Sequence, residues 1–149
     1  MPYNPGEGFP LVVPELRYRD PDAAVEWLAR VFGFTEALRW IRPDGILGHA
    51  DLELGGGVVM VAYGGQDHRT PAELGQFSVQ IIFFIANVDE HFHRSQQQGA
   101  RILTAPTDKP WGLRQYLALD LEGHAWEFSQ HVRDVPAEAW GASTAKRPS

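Results

Sequence analysis

Apolar residues along this chain fall into two kinds of run, one with a helical period and one that alternates. Ala24, Val25, Leu28, Val31 and Phe32 recur three and four apart, so a helix over about 21–32 has one apolar face. Asp20 stands at the N-cap position, Pro21 suits the first helical residue, and Gly33 suits the left-handed residue that ends a helix. Residues 1–9 read as an irregular arm, and 10–18 as a strand that Pro14 marks as an edge or a bend. After the helix, residues 35–41, 47–54 and 58–63 read as three antiparallel strands, with turns at Pro43-Asp44-Gly45 and Gly55-Gly56-Gly57.

The same order then returns. Residues 77–86 form a long apolar strand, and a helix capped by Asn87 or Asp89 spans about 89–98 and stops at Gly99. Residues 101–105, 113–120 and 125–131 read as three more strands, with turns at Pro110-Trp111-Gly112 and Glu122-Gly123. The chain is therefore expected to be β-α-β-β-β twice, with module 1 at about 11–63 and module 2 at about 77–132. A polar linker at 64–75 joins them within a single domain over 1–140, and 141–149 reads as a disordered tail. Aligning Asp20 with Asp89, and Gly56 with Gly123, superposes the halves.

Composition narrows the function classes. With 149 residues, 44% of them hydrophobic and 21% charged, the chain can bury a real core. Its net charge of -6, with no Lys/Arg cluster, argues against a nucleic-acid partner. No apolar run approaches the ~18–20 residues of a membrane span, and the N-terminus has no basic start or apolar signal core, so a cytoplasmic location is expected. The absence of cysteine removes disulfides, thiolate nucleophiles and Cys-ligated zinc. Chemistry is left to carboxylates, imidazoles, hydroxyls or a bound group.

Three stretches carry a family likeness: Arg19-Asp-Pro-Asp-Ala-Ala-Val-Glu-Trp-Leu-Ala-Arg-Val-Phe-Gly-Phe, Val88-Asp-Glu-His-Phe, and Asp120-Leu-Glu-Gly-His-Ala-Trp-Glu-Phe. Together with the duplicated order, they resemble the vicinal-oxygen-chelate superfamily, which includes glyoxalase I, bleomycin-resistance proteins and extradiol dioxygenases. The resemblance implies an α+β fold in which two βαβββ modules form a cupped eight-stranded mixed sheet. It also implies a small organic ligand inside the cup, and a homodimer that often exchanges halves between chains. Metal-binding members take four ligands from the first and last strands of each half. Carried onto this chain, those positions are Val13, Met60, Phe83 and Glu127. Val and Phe have no donor atom and a thioether suits hard divalent ions poorly, so no metal cofactor is expected.

Alternation outward from Glu127 gives an expected cup lining. Trp126 and Phe128 should pack beneath a helix with Leu52 and Leu119. Glu127, Ser129, His49, Asp51, Arg114, Tyr116, Glu15, Arg17, Val79, Ile81 and Phe83 should face inward. Within that wall, Val13, Arg17, Asp51, Met60, Phe83, Arg114 and the rim residue Trp111 are candidate ligand contacts, and Glu127, Tyr116 and His49 are candidate catalytic groups. Arg114 can fork onto a ligand anion or pair with Glu127 or Asp51; Glu127 can transfer protons or pair with Arg17 or Arg114. Trp111 can stack on a flat ligand or serve lid packing or a dimer contact. Three functions stay open: ligand sequestration, metal-free isomerase or lyase chemistry through Glu127, and divalent-metal-dependent lyase or dioxygenase chemistry from other positions.

Overall fold

The computed structural model describes residues 7–144. Chain order is β1 (Glu15–Tyr18), α1 (Pro21–Trp27) running into a π-helical turn (Leu28–Phe32), β2 (Thr35–Ile41), β3 (Leu47–Leu54) and β4 (Gly57–Tyr63). A short helix α2 (Pro71–Leu74) lies in the linker. Then come β5 (Gln80–Phe84), α3 (Val88–Gln97), β6 (Arg101–Asp108), β7 (Leu113–Leu119), β8 (Ala125–His131) and a 3-10 turn (Ala137–Trp140). The α+β class and the two βαβββ modules are as expected, and each module contributes four of the eight strands. The sheets run β1-β4-β3-β2 and β5-β8-β7-β6, with β1–β4 and β5–β8 parallel and the other pairs antiparallel.

Both modules start their helices alike. The Asp20 carboxylate accepts from Ala23 N at 3.0 Å, and the Asn87 side chain accepts from Glu90 N at 3.0 Å. Asn87, rather than Asp89, is thus the second cap. The first helix ends in a π-helical turn, which frees several carbonyls. Side chains on one face of α3 take them up. His91 Nε2 donates to Phe32 O at 2.8 Å, and Arg94 Nη2 donates to Ala29 O and Arg30 O at 3.2 and 3.1 Å.

One core spans both modules. Phe32 of the first meets Phe128 and Trp126 of the second at centroid distances of 4.8 and 5.6 Å, and Phe34 meets Phe83 at 5.5 Å. Burying each such ring stabilises the fold by roughly 1.5–3 kcal/mol. A polar knot ties the β7–β8 turn to β1. Asp120 accepts from Tyr18 Oη at 2.6 Å, from Trp126 Nε1 at 3.1 Å, and from Glu122 N and His124 N at 3.0 Å each. The Glu122 carboxylate accepts from Arg19 N and Asp20 N at 2.7 and 2.9 Å, just ahead of α1.

Some boundaries differ from expectation. Only Glu15–Tyr18 of the first strand pairs, because Pro10 and Pro14 interrupt donors on the stretch before it. The linker is not purely irregular: Thr70 accepts from Glu73 N at 3.1 Å and Pro71 sits at the first helical position, enough for one turn of helix. Strand β6 runs on to Asp108 through irregular pairing with β7. Residues 1–6 of the expected arm and 145–149 of the expected tail lie outside the described residues. Among those described, no helix is long and apolar enough to cross a membrane.

Candidate functional site

The face of each side chain follows from burial and register. Trp126 and Phe128 are fully buried in the core against the helices, so Glu127 and Ser129 point to the opposite face of the second sheet. Across the ladder Leu117 lies opposite Glu127 and Gln115 opposite Ser129, which puts both on that face. Tyr116 lies opposite Phe128 and belongs to the helix side. In β5, Ile82 lies opposite Glu127, whereas Ile81 and Phe83 pack against the core.

Glu127 is held by a directional chain of donors. Trp111 Nε1 donates to Gln115 Oε1 at 3.2 Å; Gln115 Nε2 donates to Glu127 Oε1 at 2.9 Å and to Ser129 Oγ at 2.7 Å. An indole N–H can only donate, so Trp111 sets which end of the Gln115 amide faces Glu127. Gln115 is thereby fully engaged although buried. Trp111 sits edge-on to Trp140 at 5.8 Å, so the 3-10 turn braces the rim. Gln115 was missed in the sequence; its alternation with Phe128 would have revealed it had the β7–β8 register been known.

The first sheet gathers a second group on its own face turned away from the helices. Glu15 and Asp51 both lie opposite Met60, and His49 lies opposite Ala62. His49 Nε2 and Asp51 Oδ1 are 2.7 Å apart, His49 Nδ1 lies 4.0 Å from Glu15 Oε2, and Arg17 Nη2 lies 4.0 Å from Glu15 Oε1. Asp51 is buried and His49 half-buried. The structure brings together Arg17, His49, Asp51 and Met60 on the first sheet, and Glu127 with Trp111 on the other. Among the described residues no hydrogen bond or ion pair joins the two groups.

Ile81 belongs to the core side, and four candidate site residues are reassigned as well. Val13 precedes β1, and Glu15 takes the place opposite Met60. Phe83 turns into the core against Phe34, leaving Ile82 beside Glu127. Tyr116 Oη donates to His91 Nδ1 at 2.5 Å, since Nε2 of that ring already donates to Phe32 O, and Ser95 Oγ lies 2.9 Å from the same hydroxyl. Burial pushes the Tyr116 hydroxyl well above the ordinary phenol range and holds the His91 imidazolium below its ordinary range. Tyr116 is thus a neutral core group away from Glu127. Arg114 also faces the helix side, pairing with Asp89 and Asp108 at 3.1 Å each rather than with Glu127 or Asp51.

Opposite Met60 and Glu127, two of the expected ligand positions, the structure sets Glu15 and Ile82. Two carboxylates, a thioether and an alkyl group do not make a set for a divalent transition ion. Among the described residues no three His, Asp or Glu side chains converge for one. One cavity borders the His49 group through Glu15 and Arg17.

Comparison with known proteins gives the family and the fold. A family model, the Glyoxalase/Bleomycin resistance protein/Dioxygenase superfamily, matches residues 11–128. An uncharacterized protein of Mycobacterium bovis is 35% identical over 132 residues, covering 85% of this chain and 86% of its own. The crystal structure of TioX from Micromonospora sp. ML1 is 52% identical with a TM-score of 0.68, over 80% of this chain and 97% of that one. A family enzyme from Burkholderia phytofirmans, at 17% identity and a TM-score of 0.60 over 80% of this chain and 97% of its own, shares the fold.

Proposed function

Because the chain belongs to the glyoxalase/bleomycin resistance protein/dioxygenase superfamily, we propose that it is a homodimeric, metal-free binding protein for a small organic molecule. The ligand lies between the Glu127 face of one chain and the His49–Asp51 face of a second. The observation that carries this reading is the Trp111–Gln115–Glu127 chain, which fixes one carboxylate oxygen on the sheet face turned away from the helices. Exposed apolar side chains on and just before the edge strand β5 support a second copy: Val79 is 67% exposed, Ile82 51% and Phe84 61%. A ligand would find apolar floor at Met60 and Ile82, polar anchors at Glu127 and Asp51, and Trp111 at the rim.

A second reading, proton-transfer catalysis in the same cleft, is favoured by one specific contact. His49 paired with buried Asp51 at 2.7 Å is a geometry in which an imidazole can act as general base. Light scattering tests the dimer, and elemental analysis of purified protein tests the metal-free state. A small-molecule thermal-shift screen on wild type and Glu127→Gln should find stabilising compounds whose effect drops at least tenfold in affinity in the variant. A monomer, a stoichiometric divalent metal, or ligands indifferent to Glu127→Gln would refute the binding reading. Turnover of a hit, lost in His49→Asn, would establish the catalytic one.

A further inference from the structure

A separate cavity of about 610 Å³ opens where the linker, the end of α1 and the end of the second sheet meet. It shares no lining residue with the Glu127 or His49 groups. Its walls are Trp27 from α1, Phe77 from the segment before β5, Leu103 from β6, Leu119 from β7 and Leu121 from the β7–β8 turn, with Arg101 among them. Phe77, Leu103 and Leu121 are each about two-fifths exposed, an apolar group that a lone chain leaves in water. The volume falls within the ~300–1,000 Å³ typical of small-molecule sites.

Charge decides the class of ligand. Arg17, Arg19, Arg30, Arg39, Arg42 and Arg114 each pair with an acid, and Arg94 caps carbonyls. The side chain of Arg101, like those of Arg69 and Arg133 elsewhere, has no hydrogen-bond or ion-pair partner among the described residues, and of the three only Arg101 lines this cavity. The one acid in the cavity wall, Asp120, is spent on Tyr18, Trp126 and two turn amides. An unpaired arginine among apolar walls matches a flat apolar body carrying one carboxylate, which Arg can fork. We propose that this cavity is a binding site for a small apolar or aromatic carboxylate. Arg101 holds the carboxylate, and Trp27 and Phe77 flank the body.

Glycine amides report on the site, because Gly75, Gly99 and Gly123 line it. The full chain, labelled with nitrogen-15, is titrated with 1-naphthoate, with neutral 1-naphthalenemethanol and with cationic 1-naphthylmethylammonium. Naphthoate should shift those three amides saturably. The neutral and cationic analogues should bind at least tenfold more weakly. Arg101→Gln, an exposed position that the fold does not depend on, should weaken naphthoate at least tenfold, and Leu103→Trp should block it by filling the space. The proposal is overturned if the three amides stay still at millimolar naphthoate, if all three probes bind alike, or if Arg101→Gln changes nothing. It is equally overturned if protein concentration alone moves those amides, since a second copy would then be the occupant.

Discussion

Replacing Asp120 by Asn changes one atom at the point where the β7–β8 turn meets β1, and the structure sets the cost. The carboxylate is nearly buried and receives four donors: Glu122 N and His124 N on one oxygen, Tyr18 Oη and Trp126 Nε1 on the other. An amide has one oxygen. If that oxygen keeps the two turn amides, the new NH2 faces Tyr18 and Trp126. The tyrosine hydroxyl can rotate to accept, but the indole N–H can only donate and is stranded. A buried unsatisfied donor costs about 1–3 kcal/mol, and exchanging a charge-assisted bond for a neutral one costs about 1 kcal/mol more. The sum is about 2–4 kcal/mol, or a fall of roughly 4–16 °C in Tm for a chain of this size. Thermal and urea unfolding followed by circular dichroism at pH 7 measure it. Tyr18→Phe should cost less in the Asn background than in wild type, with a coupling of about 1 kcal/mol or more. A loss under about 0.5 kcal/mol, or strict additivity with Tyr18→Phe, would refute the reasoning.

Two further outcomes follow from the core and the turns. Burial lowers the pKa of His91 in the folded chain, so below the ordinary value of about 6.5 the unfolded chain binds the extra proton first. The contribution of His91 is therefore complete above that value and is lost as pH falls toward the depressed one. Tm should decline between pH 7 and 5 in wild type and decline less in His91→Gln; equal slopes would exclude His91 as the source. Gly112 has φ +91, and a Cβ there would lie 2.1 Å from Arg133 O, whereas Gly45 has φ +85 and open space around it. Gly112→Ala should cost about 2–4 kcal/mol and Gly45→Ala only about 1 kcal/mol in urea unfolding; similar losses at both would mean the Arg133 contact carries no weight.

The helices, the duplicated order and the turn signature were legible because each is written locally. Ala24 to Phe32 repeat at helical spacing, Asp20-Pro21 opens the first helix, and Asp120-Leu-Glu-Gly-His-Ala-Trp marks a turn whose acids serve as acceptors. The π-helical turn and its carbonyl caps were not legible, because His91 and Arg94 find their partners only after the modules dock. The wall facing Glu127 failed for a reason that lies in loop parity. A constant offset carries Asp20 to Asn87, Glu15 to Ile82 and Met60 to Glu127, so the caps give the true alignment and Asp89 does not. That offset breaks between β3 and β7. The pair Glu53–Val58 corresponds to Leu119–Ala125, and the turn between the second pair is one residue longer. A slip of one residue reverses every side chain on a strand. It turns Arg114 and Tyr116 toward the helices and brings Gln115 and Leu117 beside Glu127. Parity also explains why Glu127 itself was placed correctly: the core rings Trp126 and Phe128 flank it on its own strand, so no loop intervenes between the signal and the residue. In a duplicated sheet, a site residue is as legible as the shortest path of backbone connecting it to a side chain whose burial is certain.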